Sequence, residues 1–220
     1  MGKRAEAVSI IGGTDGPTSV FIVGKGKEKR SIRQRMQAYF YRRKKDGVKK
    51  SIIANPHTLE ETIAYIREVY HATESPRKSY NFIEQRNCLR ESLILAHKPE
   101  LLGDLARIEL PGIDDEGAVR EYLDQCRLRS ERVRNLGEEE FPLDFHLFEI
   151  PVSSSGRIEV MIESGWEKFG VSYSANSGDK KLKKQLKKMY QEIYLYYGVS
   201  EEDIKNRSER YSSLVMALSM

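Results

Sequence analysis

Strand-forming sequence occurs at only two places in this chain. Apolar β-branched runs lie within residues 8–23, three alternating segments lie between 144 and 174, and the stretch between them repeats with helical spacing. Strands gathered at two places rather than alternating with helices argue against a doubly wound βαβ sheet and for an α+β fold. The expected architecture is an antiparallel sheet, built from an N-terminal hairpin (Ala7–Ile11 and Thr18–Val23) plus a C-terminal three-stranded meander, packed with about six helices. The meander strands are Asp144–Val152, Arg157–Glu163 and Lys168–Ser174. Ser153-Ser154-Ser155-Gly156 and Ser164-Gly165-Trp166 turn the chain between them, and Phe169, Val171 and Tyr173 alternate as a half-buried strand requires.

The helices announce themselves by caps and apolar stripes. From Ser31 to about Lys45, Ile32, Met36 and Tyr39/Phe40 share a face expected to pack inward. Thr58 with Glu61 forms a capping box ahead of Leu59, Ile63, Ile66 and Tyr70. Further helices are expected over 77–97, from Pro99 to Arg107, and over Asp114–Leu136, the last with Val119, Leu123, Cys126 and Val133 inward. Leu182, Leu186, Met189, Ile193 and Tyr196 mark a helix ending at Gly198, and Ser200 opens a last helix running to the C-terminus. Gly137–Glu140 with Pro142 is the best internal boundary. It divides the chain into 1–136 and 137–220, unless it is a loop within one domain 1–220.

A transmembrane helix needs about twenty mostly apolar residues. The apolar stretches here, such as Val20–Val23 and Leu93–Ala96, stop after a few, and 32% of residues are charged. A mean hydropathy of -0.58 fits a water-soluble chain with no membrane insertion. Cys88 and Cys126 stand alone in helical patterns, where small buried thiols are expected, in keeping with a reducing, cytoplasmic setting. The first residues show no apolar core of a signal peptide and no acylation signal after Gly2.

Charge is unevenly spread. Between Lys25 and Lys50 twelve Lys/Arg stand against Glu28 and Asp46, a local +10 in a chain whose net charge is +4, so the remainder sums to −6. A helix from Ser31 that buries one stripe turns positive charge outward. Arg33, Arg35, Arg42, Arg43, Lys44 and Lys45 are the residues expected to meet a polyanion, nucleic acid foremost, by neutralising phosphates. Tyr39, Phe40 or Tyr41, if exposed, can stack on an unpaired base. The competing reading is a solvated charged face. Lys180–Lys188 reads as the decorated outside of a packed helix.

Gly12-Gly13-Thr14-Asp15-Gly16-Pro17-Thr18 is a polar, glycine-rich connection between the two N-terminal runs. Its glycines and proline suit a turn, and its carboxylate and hydroxyls can ligate a small cation or bond the turn itself. The segment resembles the Gly-Gly-Ala-Asp-Gly-Pro-Thr signature of the β subunits of sodium-pumping decarboxylases, over about sixteen residues, with Thr14 in place of Ala. In that family the motif's Asp serves the sodium and proton pathway, so the resemblance implies a ligand role for Asp15, and more weakly for Thr18 and the loop backbone at Gly13 and Gly16. Those subunits are integral membrane proteins with many spans, so pumping by this polypeptide alone is excluded.

No catalytic signature emerges. His57, His71, His97 and His146 lack metal-ligand spacing, no Gly-x-Ser-x-Gly elbow or Walker loop is present, and no cofactor is implied. Three readings follow: a nucleic-acid-binding or accessory protein acting through the basic helix, a small-ligand or cation-binding domain centred on Asp15, and a structural or interaction protein with a protein partner. An enzyme is the lesser expectation.

Overall fold

The computed structural model describes the backbone of 5–13 and 16–24, and residues 31–111, 115–175 and 178–220 in full. The class is α+β. Among the described residues seven α-helices and one 3₁₀ segment accompany two separate antiparallel sheets. Strands β1 (Ala5–Gly13) and β2 (Gly16–Gly24) pair only with each other. The second sheet has the order β3-β4-β5-β6, from Thr73–Glu74, Phe145–Ser153, Gly156–Glu163 and Lys168–Ala175. The expected meander is therefore present, but the hairpin does not join it. Its edge is taken instead by Thr73–Glu74, whose two residues carry no strand pattern to read.

Two compact units account for the chain: Met1–Lys29 with Pro76–Leu143, and Arg30–Ser75 with Asp144–Met220. In the second unit, α2 (Leu59–Tyr70) and α5 (Lys180–Tyr197) close one face of the sheet. Phe148 and Ile150 of β4 and Ile158, Val160 and Ile162 of β5 meet Ile66 of α2 and Leu182, Leu186 and Ile193 of α5, all essentially buried. The alternation along β4 and β5 puts these residues on one side, as period-two strands dictate. A smaller core joins Tyr190, Tyr194 and Val199 to Tyr211, Leu214 and Val215 of α7 (Glu209–Ser219).

The C-terminal segment is two helices, not the single one expected. α6 (Glu201–Asn206) ends at Arg207 in the left-handed region (φ 52°), and Ser208 caps α7 by accepting from the Tyr211 N–H. Asp203 joins both ends. It accepts from the Ser200 N–H (2.9 Å) and hydroxyl (2.8 Å) and from the Ser208 hydroxyl (2.6 Å). Burial opposes its charge, but these bonds outweigh that and hold the carboxyl below its usual range.

In the other unit, α3 (Tyr80–His97) and α4 (Glu116–Asn135) pack with the 3₁₀ segment Pro99–Ala106. Cys126 and Val133 are buried as expected, whereas Leu123 lies at the rim, 38% exposed, and Cys88, also expected inside, is exposed. Arg90, 1% exposed, donates to four backbone carbonyls: Phe141 (3.3 Å), Val133 (3.1 Å), Leu136 (2.9 Å) and Gly137 (2.5 Å). It thus satisfies the end of α4, whose last carbonyls lack intrahelical donors. Glu138 pairs with Arg86, and Glu140 accepts from the Gly137 N–H at 2.7 Å. The triple-glutamate turn is therefore partly engaged, not simply solvated.

Replacing Arg90 by Leu leaves several buried carbonyls unpaired, each at about 1–3 kcal/mol. The expected outcome is loss of about 3 kcal/mol or more, read as a lower urea midpoint. A midpoint within experimental error of the parent's would show that water replaces the guanidinium without loss.

Candidate nucleic-acid interface

Helix α1 (Ile32–Ser51) begins at a capping box in which the Gln34 N–H donates to Ser31 Oγ (3.2 Å) and the Ser31 N–H to Gln34 Oε1 (2.8 Å). It continues past the expected end near Lys45. Gly47 is accommodated because its backbone can stay helical, and nothing lies within 4 Å of where its Cβ would stand. Eight Lys/Arg and a single acid, Asp46, make the helix net +7.

No residue of α1 is buried. At about 100° per residue, Ala38, Tyr41, Lys45, Val48 and the capping Ile52 share one face, and Ala38, Lys45, Val48 and Ile52 are the half-buried positions. Ile52 packs on the core that includes α7, and the Lys44 ammonium donates to the Met220 carbonyl. The stripe Ile32, Met36, Tyr39 and Phe40 lies on the opposite side, at 77%, 54%, 60% and 57% exposure. This corrects the inward packing expected of it. Periodicity shows that a stripe exists, and the stripe that finds a partner here is the weaker one.

The expected contact residues divide accordingly. Arg33, Arg35, Arg42 and Arg43 are exposed and have no carboxylate at ion-pair distance among the described residues. Arg43 falls within the exposed apolar arc, with Arg35 and Arg42 on one flank and Arg33 on the other. Lys44 and Lys45 sit toward α7, one bonded to it and one half-buried. Lys49 and Lys50, in the last turn, are exposed. Asp46 reaches Lys49 at 3.6 Å, a solvated pair of little energetic weight. Tyr39 and Phe40 contact each other edge to face, centroids 5.7 Å apart.

The end of α1 is held by the segment after it. The Asn55 N–H donates to Val199 O (3.0 Å) and the His57 N–H to Tyr197 O (3.1 Å). Arg210 of α7 donates to Gly198 O (2.8 Å), to His57 O (2.7 Å) and to Tyr197 O, and lies 3.7 Å over the Tyr197 ring. The His57 ring stacks on Tyr196 (4.1 Å), which stacks on Tyr65 (3.8 Å), so the same segment is tied to α2 and α5. Tyr70 donates to Glu192 at 3.0 Å. Burial first, then the Tyr65 hydroxyl and the Glu192 carboxylate, push its phenol well above the usual range.

Of the glycine-rich motif, Gly13 ends β1, Gly16 opens β2 and Thr18 lies in β2. The ladder pairs Gly12 with Pro17 and Gly13 with Gly16. Two residues, Thr14 and Asp15, separate the strands, where the sequence reading puts the longer connection Gly12–Thr18; both lie outside the described residues. Among the described residues no three metal-ligating side chains converge. A cavity of about 60 Å³ beside Phe169, Tyr194, Tyr197 and Arg210 has room for water, well below the several hundred Å³ of a typical small-molecule pocket. No helix among the described residues is long and apolar enough to cross a membrane. No family model matches the chain, no curated protein is detectably similar to it, and no solved structure matches its fold.

Gly198 (φ 61°, ψ −161°) occupies a region reserved for glycine, and a Cβ there would stand 1.9 Å from Asn55 O. Gly198→Ala is expected to lose about 2 kcal/mol or more and to loosen segment 52–58, read as faster amide exchange at Asn55 and His57. Unchanged exchange at those amides would refute the close approach.

Proposed function

We propose that this protein binds nucleic acid through α1, with single-stranded segments as the favoured form. The observation that carries this reading is a twenty-residue helix of net +7 with no buried residue, whose aromatic side chains face solvent. An apolar stripe turned to water is unfavourable in an isolated protein unless a ligand covers it. Its basic flanks select an anionic ligand, and phosphates released from their counterions supply affinity. Duplex DNA offers phosphates but keeps its bases stacked inside. An unpaired strand offers both phosphates and ring faces, which Tyr39 and Phe40 can stack on, worth about 1–3 kcal/mol per base. Arg35, Arg42 and Arg43 are the phosphate contacts, joined by Arg33, Lys49 and Lys50, while Lys44 and Lys45 chiefly hold the helix to α7.

Fluorescence anisotropy with a labelled oligonucleotide tests this. Arg35→Gln/Arg42→Gln/Arg43→Gln is expected to lower the slope of log affinity against log salt by about 2. Binding to anionic lipid vesicles but not to oligonucleotide, or an affinity indifferent to salt, would overturn the assignment.

The aromatic contribution separates from the charge. In Tyr39→Ala/Phe40→Ala the single strand is expected to bind about tenfold or more weakly while the duplex changes little and the salt slope stays put. Equal losses on single strand and duplex would exclude stacking.

A further inference from the structure

We infer that the lysine face of α5 is a second contact for the same ligand, so that a bound strand runs from α1 onto α5; this rests on the α1 reading above. Lys180, Lys181, Lys183, Lys184, Lys187 and Lys188 fall within nine residues, and no acid follows on the helix until Glu192. At about 100° per residue they cover an arc of roughly 160°, opposite buried Leu182, Leu186, Tyr190 and Ile193. Lys180, Lys181, Lys184 and Lys187 have no carboxylate partner among the described residues, and Lys188 meets Glu192 at 3.5 Å while 77% exposed. Asp179, the nearest acid before them, is engaged as the helix cap, accepting from the Leu182 N–H at 2.8 Å.

This arrangement opposes the stability of its own helix. Lysines three and four apart repel one another, and they stand toward the end where the helix dipole is already positive. A packed helix needs only solvated residues on its outer face, and alternating signs serve that without repulsion. A run of like charge of which Lys180, Lys181, Lys184 and Lys187 meet no carboxylate among the described residues marks a surface whose opposite charge arrives from outside.

Both helices are tied to α7. Gln191 of α5 donates to Ala217 O (3.0 Å) and Lys44 of α1 to Met220 O, so both helices meet the last turn of α7. From there each runs back along α7: Arg210, near its start, binds the carbonyls at the end of α5 and the His57 carbonyl in the segment just after α1. α1 and α5 are therefore both antiparallel to α7, which has only 11 residues. In each helix the basic stretch, 32–43 of α1 and 180–188 of α5, lies ahead of the residue, Lys44 or Gln191, that meets the end of α7.

The test is a salt titration of binding to an unstructured oligonucleotide of about 24 nucleotides, long enough to span two such surfaces. Lys180→Gln/Lys184→Gln/Lys187→Gln is expected to lower the salt slope by about 2 while raising Tm at low salt, because repulsion within α5 is removed. The Lys→Arg variant at the same three positions is expected to keep the parental slope. An unchanged slope in the Gln variant, or an equal loss in the Arg variant, overturns the α5 contact; if the α1 variant still loses binding, the α1 reading survives alone. No binding by the parent protein removes both.

Discussion

Arg210 is the contact on which the arrangement of the second unit depends. One guanidinium on α7 gathers carbonyls from the end of α5 and from the segment that follows α1, while its face lies over Tyr197. Helix ends expose carbonyls that need donors, and a planar fork with five N–H groups can satisfy several from one position. Gly198 makes the approach possible by leaving room for the Asn55 carbonyl where any other residue would place a Cβ. Without this junction α1 would be joined to the unit by little more than one face and the Lys44 contact. Arg90 repeats the device in the other unit, where a buried guanidinium closes the end of α4.

The outward face of the sheet-and-helix unit shows a consistent division of labour. Apolar burial is concentrated between β4–β5 and the helices α2 and α5, and the tyrosines of α5 and α7 extend it. Charge that would interfere with this core is held at the far side of the same helices. The repulsion carried by α5 is offset by the packing of its buried face.

Local signals are legible in the sequence and distant ones are not. Thr58 with Glu61, the stop at Gly198 and the three meander strands follow from caps, glycine and alternation within a few residues, and all are present. The break at Arg207 is hidden in the sequence because Ser208 as a cap competes with an otherwise helical run, and a one-residue left-handed turn leaves little trace in periodicity. Helix α1 follows from its pattern but its orientation does not: Ile32, Met36, Tyr39 and Phe40 are the more apolar stripe, while the face that packs is set by α7, about 170 residues later. The guanidinium bridges of Arg90 and Arg210 span separations of about 50 and 150 residues, beyond any local pattern.

The one-sided anchoring of α1 makes its shape part of its chemistry. Its C-terminal portion is moored to the core, while its first three turns keep their coil on capping and backbone bonds against the mutual repulsion of their own guanidinium groups, close to the length at which an isolated helix is marginal in water. Any counter-charge that settles on those turns removes the repulsion and so firms the winding. If these turns bind a polyanion as proposed, occupancy and the stability of this arm are linked, and each strengthens the other.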